Sequence, residues 1–204
     1  MWRPARSVSA RSIASAMRMS IAVVLGFGIA TLNVSVVVNA VLALGVTYLP
    51  AVLRRDWDLR LSPELTLVVT LAVLLHTIGM VGLYERLWWY DHLTHTLSAM
   101  IVAAVGYAVT RALDRYSDGV SFPPRFLSVF ILLFTLALGV LWEVIEFLAR
   151  IAASAVGVEA VLVQYGLEDT VLDLVFDTVG AVLVALFGTE RLSELVDAVH
   201  DRLS

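Results

Sequence analysis

Acidic and histidine side chains recur at helical spacing in three separate stretches of the sequence. Side chains three or four residues apart lie on the same face of an α-helix, so each stretch presents its polar groups together. The groups concerned are Asp91 and His95, then Glu143 and Glu146, then Asp169, Asp173 and Asp177. Carboxylate oxygens joined by an imidazole nitrogen suit a divalent metal ion such as Mg²⁺, Mn²⁺, Ca²⁺, Zn²⁺ or Fe²⁺. The sequence therefore predicts a metal site that draws on these residues.

The surroundings of these polar groups are strongly apolar. Hydrophobic residues make up 60% of the 204 residues and charged residues 16%, with a mean hydropathy of +0.89. A soluble domain is about 45–50% apolar and about 25% charged, so the composition excludes a soluble enzyme and predicts a multi-pass membrane protein. A charge inside a membrane span costs about 2.5–3.5 kcal/mol on insertion scales, so acids in such spans indicate a functional site.

Six segments are long and apolar enough to form membrane-spanning helices, which need about 20 residues each. Residues 19–53 carry no charge but are too long for one upright helix, so we place a turn at Leu32 and Asn33. The predicted fold class is an all-α membrane helix bundle, with one transmembrane domain over residues 1–188. Its helices are predicted near residues 12–31, 34–53, 64–84, 92–113, 126–149 and 168–187.

Two further segments flank the last predicted helix. Residues 151–167 are apolar but contain Glu159 and two glycines, which fits a re-entrant or interfacial segment better than a span. Residues 189–204 place apolar side chains on one helical face and acids on the other. We therefore predict that residues 189–204 form a cytosolic amphipathic tail.

The 14 arginines orient the bundle, because cytoplasmic loops are enriched in basic residues. With six helices, only Arg86 and Arg150 fall on one side of the membrane. Joining residues 19–53 into one helix would remove this bias, so six helices with both termini in the cytoplasm are favoured. The arginines on the cytoplasmic side are Arg3, Arg6, Arg11, Arg18, Arg54, Arg55, Arg60, Arg111, Arg115, Arg125, Arg191 and Arg202.

This orientation brings the three acidic stretches to one depth in the bilayer. The fourth predicted helix begins on the outer side, the fifth ends there and the sixth begins there. The third helix adds His76, about two turns from its outer end. Mutual repulsion forbids leaving so many buried carboxylates charged and unpaired, which favours a bound cation.

The candidate residues also have structural explanations. Asp91 can act as a helix N-cap, and His95 can hydrogen-bond to Asp91 or to an acid of the sixth helix. Glu143 and Glu146 can pair with Arg150 at the interface. Asp173 and Asp177 lie deepest, so a purely structural role explains them least well.

The other histidines are expected to lie outside the site. His76 fits a buried polar contact between helices better than a metal ligand. His92 is predicted to face away from the cluster, and His200 lies on the tail.

Three motifs resemble those of a known family: LWWYDHLTH, WEVIEF and DTVLDLVFDTVGA. They resemble the YjdF-type family of bacterial and archaeal inner-membrane proteins and, more distantly, VanZ-like membrane proteins, over roughly residues 40–188. The resemblance implies a helix bundle in the cell membrane, with signature positions at the predicted metal-site residues. Relatives often carry Asn where this chain has Asp177, and the added negative charge favours a cation. VanZ-like proteins are associated with glycopeptide resistance and the cell envelope, which points to lipid-linked substrates.

Three functions are compatible with the sequence. The first is a metal-dependent membrane enzyme that hydrolyses or modifies a lipid or lipid-linked headgroup, with His95 as the candidate general base. The second is a cation or proton transporter or channel, and the third is a structural or partner-binding membrane protein without catalysis. The expected partner is the lipid bilayer. A net charge of -4 gives no basis for nucleic-acid binding, and the absence of cysteine excludes disulfides and thiolate metal sites.

The predicted topology can be tested with reporter fusions to the C-terminus. A reporter that is active only in the cytoplasm should give a signal, and one that is active only in the periplasm should not. A fusion after Arg86 should give the opposite pattern. A periplasmic signal from the C-terminus would contradict six spans with cytoplasmic termini.

Overall fold

The chain forms a bundle of α-helices in the computed structural model, which describes residues 9–117, 119, 121–158, 160–162, 164–187 and 192–203. Every regular element in this part of the chain is helical, as the composition predicts. Four residues discussed above, Arg3, Arg6, Glu159 and Arg191, lie outside the described residues. The helices are α1 (Ala10–Ala30), α2 (Val34–Trp57), α3 (Pro63–Ile78), α4 (Tyr84–Arg86), α5 (Trp88–Tyr116), α6 (Pro124–Val156), α7 (Leu167–Phe187) and α8 (Ser193–Leu203).

Six of these helical segments are long and apolar enough to cross a membrane, which confirms the predicted number of spans. They are α1, α2, residues 63–86, α5, α6 and α7. Polar residues set where several of them begin. The Asn33 side chain accepts a hydrogen bond from the Val36 N–H at 3.0 Å, and Ser62 caps α3 in the same way. Leu32, with φ of 55°, makes the turn that separates α1 from α2.

The ends of the helices differ from the predicted ends by several residues. α5 begins at Trp88 rather than near residue 92, and α2 and α6 continue to Trp57 and Val156. Hydropathy reports the length of the apolar span, whereas a helix continues until its backbone is capped. Gly157, with φ of 71°, ends α6 in the left-handed conformation that glycine adopts without strain. Within the segment 151–167, α6 therefore continues to Val156 and α7 begins at Leu167.

The third span contains a kink, which the sequence analysis did not predict. Residues Gly79–Leu83 form a π-helical turn, and Gly82 has φ of 107°. The Tyr84 ring packs against Gly79, where a side chain would overlap it. The kink therefore turns the Tyr84 hydroxyl back toward α3.

The helices pack as two groups that meet along α3 and α5. The first group is α1, α2 and α3, with Ile21, Ala40 and Ala43 at its centre. The second is α5, α6 and α7, in which α5 and α7 make the most extensive contact of the bundle. We call the end where α5 and α7 begin and α6 ends the acidic end. It contains the three acidic stretches.

The tail helix α8 packs at the opposite end of the bundle. Leu195 and Val196 are buried against Ala108 of α5. Arg115 donates a hydrogen bond to Asp197 across the same contact, at 2.6 Å. The predicted amphipathic face is thus the face that α8 buries.

Gly180 is a sharp test of the contact between α5 and α7. A Cβ atom there would lie 2.5 Å from the Thr96 carbonyl oxygen and 2.8 Å from the Ala99 Cβ. Overpacking of this kind typically costs about 1–3 kcal/mol, so Gly180→Val should lower the melting temperature of the purified protein. Gly26→Val is the matched control, because a Cβ at Gly26 meets nothing within 4 Å. Equal stability of the two variants would contradict the packing.

Candidate metal centre

Three potential metal ligands converge where α5 faces α7. Asp91 and His95 lie one turn apart on α5, and Asp173 faces them from α7. One ligand atom of each residue lies within 4.8 Å of the other two. Asp173 is only 1% exposed, so the group is held inside the bundle. The structure thus brings together residues that are 82 positions apart.

His95 lies at the centre of the group, with each ring nitrogen facing carboxylates. Its Nε2 atom is 3.8 Å from Asp91 Oδ1 and 3.8 Å from Asp173 Oδ1. Its Nδ1 atom is 3.4 Å from Asp177 Oδ1, within hydrogen-bond distance. If Nδ1 carries the proton of that bond, Nε2 keeps a lone pair that faces the other two carboxylates. Metal-binding histidines are oriented in the same way by a carboxylate on the second nitrogen.

Asp173 carries a buried oxygen with no hydrogen-bond partner in the described part of the chain. Its Oδ1 atom is fully covered, and the nearest cationic or imidazole groups, His92 and His95, are both 3.8 Å away. That separation is too long for a hydrogen bond. A buried unpaired carboxylate oxygen is costly. The oxygen is therefore suited to a ligand placed between it and the imidazoles.

His92 belongs to this group, so the prediction that it faces away is wrong. Its Nδ1 atom is buried and lies 3.8 Å from Asp173 Oδ1. Its ring stacks on Phe176, with centroids 4.4 Å apart and planes 3° apart. Residues 92 and 95 are three positions apart, so both can face α7. Asp173 lies between them, and that spacing was the available signal in the sequence.

The two glutamates of α6 are buried beside the group rather than paired with arginine. Glu143 is 5% exposed, and its Oε2 atom accepts a hydrogen bond from Thr170 at 2.7 Å. Glu146 is 8% exposed and lies three residues after Glu143 on α6, so it shares a helical face with it. Arg150 lies over the Phe147 ring instead, 5.5 Å from its centre. Among the described residues, the predicted pairing with Arg150 is not observed.

Asp169 lies at the edge of the site and stabilises the connection to α7. Its Oδ2 atom accepts a hydrogen bond from the Tyr165 backbone N–H at 3.0 Å. Burial raises the pKa of the Tyr165 phenol, and the carboxylates of Glu85, Asp91 and Asp169 raise it further. Tyr165 therefore lies close to the acidic groups.

Asp177 has room beside α6 because residue 139 is glycine. A Cβ atom at Gly139 would overlap the Asp177 Oδ2 atom. The small residue therefore lets α6 pack against α7 while the carboxylate stays directed at His95. The sequence analysis did not identify Gly139 as part of the site. Nothing along the chain indicates which residue it faces.

A second polar network joins the two helix groups beside the site. His76 Nε2 lies 3.1 Å from Asn39 Oδ1, and Tyr84 Oη lies 2.8 Å from His76 Nδ1. Tyr84 Oη also lies 3.3 Å from Thr94 Oγ1, and Thr94 donates a hydrogen bond to the Asp91 carbonyl oxygen at 2.8 Å. His76 thus makes a contact between helices, as predicted. The network holds the start of α5 against α2 and α3.

The network continues to the connection between α6 and α7. The Val161 carbonyl oxygen accepts hydrogen bonds from Ser35 Oγ at 2.8 Å and from Asn39 Nδ2 at 2.9 Å. These bonds fasten the connection to the start of α2. Both helix groups therefore contribute to the acidic end.

Comparisons with other proteins place the chain among predicted membrane proteins. An uncharacterised protein of Thermotoga maritima is 30% identical over 131 residues, which are 60% of this chain and 61% of the relative. The chain therefore matches less than two thirds of that relative's length. No solved structure matches this chain. Residues 13–194 match the family described as "Predicted membrane protein (DUF2238)". A match over that length shows that the chain belongs to the DUF2238 family.

Proposed function

We propose that Asp91, His95 and Asp173 form a divalent-metal centre in a membrane enzyme. The observation that carries this proposal is the direction of their ligand atoms. One imidazole nitrogen and two carboxylate oxygens converge, and the Asp173 oxygen is buried without a hydrogen bond. Asp177 holds the other nitrogen of His95, so its role is to orient that ligand rather than to bind the metal.

The donor set limits the choice of metal. Two carboxylates alone would suit Mg²⁺ or Ca²⁺, whereas an imidazole ligand favours Mn²⁺, Fe²⁺ or Zn²⁺. His92 supports the same choice, because its Nδ1 atom also lies 3.8 Å from Asp173 Oδ1. We therefore expect a transition metal in preference to Mg²⁺ or Ca²⁺.

The helix packing on the side of the centre away from the acidic end favours an enzyme over a transporter. Between the centre and the opposite end of the bundle, the three acidic helices pack through Ala103, Ile131, Ala181 and Val184. Each of these side chains is at most 5% exposed. A path for ions needs polar groups along the membrane, and these four side chains provide none. We therefore propose that substrate reaches the centre from the acidic end.

The chemistry proposed for the centre is hydrolysis or modification of a lipid or lipid-linked headgroup. A divalent ion supplies Lewis acidity and makes water nucleophilic near neutral pH. We assign proton transfer to Glu143, which lies at the edge of the centre and is held by Thr170. His95 is less suited to that role, because both of its nitrogens face carboxylates. The resemblance to VanZ-like proteins supports lipid-linked substrates.

The metal centre predicts that divalent ions stabilise the protein. With chelator present the melting temperature should fall, and Mn²⁺ or Zn²⁺ should restore it. A metal concentration of about 100 times the dissociation constant should raise the free energy of unfolding by about 2.7 kcal/mol. Asp173→Asn keeps the shape of the side chain but removes a ligand charge, so this variant should lose stoichiometric metal and the metal-dependent stabilisation.

Glu85→Gln is the matched control for that experiment, since Glu85 is an exposed acid at the same end of the bundle. It should bind metal as the unchanged protein does. Metal analysis that finds no divalent ion, together with a melting temperature that ignores both chelator and added ions, would refute the centre. The acids would then serve to join helices.

The Asp177→Asn variant tests whether Asp177 binds the metal or only orients His95. Loss of an orienting carboxylate typically weakens metal binding by about 10–100-fold, so this variant should still bind metal at high concentration. Asp173→Asn should not. Isothermal titration calorimetry with Mn²⁺ measures the metal affinity of both variants. If Asp177→Asn abolished binding as fully as Asp173→Asn, Asp177 would be a ligand.

A further inference from the structure

A groove runs along the bundle surface between α6 and α7, beside the metal centre. Val140 and Val144 form its apolar wall on α6 and are 47% and 46% exposed, and Leu174 faces them from α7. Glu143 and Thr170 lie in its floor. Apolar side chains exposed on a spanning helix face lipid. The groove therefore connects the acyl-chain region of the bilayer with Glu143, at the edge of the metal centre.

A chain of hydrogen-bonded polar groups lies beneath the largely apolar surface of this groove. Gln164 Nε2 donates a hydrogen bond to Thr170 Oγ1 at 2.9 Å, and Thr170 donates to Glu143 Oε2 at 2.7 Å. Hydrocarbon offers such groups no partners, so polar atoms are rare on lipid-facing surfaces. A ligand that has both polar and apolar parts fits this surface.

Arg150 lies beside the groove, nearer the end of α6. Phe147 lines both the groove and a second depression, which Arg150 and Ser154 also line. Arg150 is exposed, and none of the ion pairs within the described part of the chain involves it. Arginine binds phosphate with several hydrogen bonds at once. The depression is thus suited to a phosphate group.

The order of these features along α6 matches the order of groups in a phospholipid. Arg150 lies nearest the helix end, Glu143 lies about 10 Å further along the helix, and Val140 lies deeper still. A phospholipid carries its phosphate at the membrane surface, its ester-linked glycerol below and its acyl chains deepest. A free phosphate ion would use only the first of these positions.

We propose that this groove binds an anionic phospholipid, with its phosphate at Arg150 and its ester-linked glycerol at Glu143. The acyl chains then lie along Val140 and Leu174. As a statement about substrate class, the inference rests on the function proposed above. Lipid binding itself does not need the metal, so the two proposals can fail separately.

The test is native mass spectrometry of the full chain with phosphatidylglycerol or phosphatidylcholine of identical acyl chains, with chelator present. The protein should retain phosphatidylglycerol about fivefold better, as one arginine near the lipid charge implies. Arg150→Gln should remove this preference. Arg86→Gln, which removes the other arginine near the acidic end, should keep it. Inorganic phosphate should not displace the lipid.

Several results would overturn the proposal. Equal retention of the two lipids by the unchanged protein would show lipid held without regard to charge. An equal effect of Arg86→Gln and Arg150→Gln would show a general attraction to the surface. Displacement by inorganic phosphate would show that an anion alone occupies the site. Because chelator is present throughout, a failure of metal binding changes none of these readings.

Discussion

The close approach of α5 and α7 is the constraint on which the polar centre depends. Gly180 has no side chain, so α7 lies against the backbone of α5 at Thr96 and Met100. Small residues allow this kind of contact between membrane helices, where little hydrophobic force is available to drive association. One turn away, the same contact leaves His95 between Asp173 and Asp177. Carboxylates on two helices thereby reach one imidazole.

Placing these carboxylates close together causes electrostatic repulsion, and hydrogen bonds within the bundle relieve only part of it. Asp177 is hydrogen-bonded to His95, and Glu143 to Thr170. The buried oxygen of Asp173 has no such partner in the described residues. The network from Asn39 through His76 and Tyr84 fixes the start of α5 from the other side. The site is therefore supported from two sides, and the buried Asp173 oxygen without a hydrogen bond supports the proposal of a bound cation.

The sequence was informative wherever the interaction is local. Asp91 and His95 share a helical face because they are four residues apart. In the structure, Asp91 Oδ1 lies 3.8 Å from His95 Nε2. The number of spans also followed from hydropathy. Relations between helices were harder to predict. His92 was expected to face away, although it contacts Asp173, and the space for Asp177 depends on Gly139 of another helix.

By itself, the sequence determined the all-helical class, the six spans and the set of acidic and histidine residues from which a site could be built. These follow from composition and from spacing within one helix, which the chain specifies directly. The tertiary structure decided which of those residues meet. It placed His92 beside Asp173 and Asp169 at the edge of the site, bonded to Tyr165. It also directed Asp177 at the Nδ1 atom of His95. The physical reason is that distances between helices depend on which small residues let two backbones approach, and no pattern within one helix specifies its neighbour.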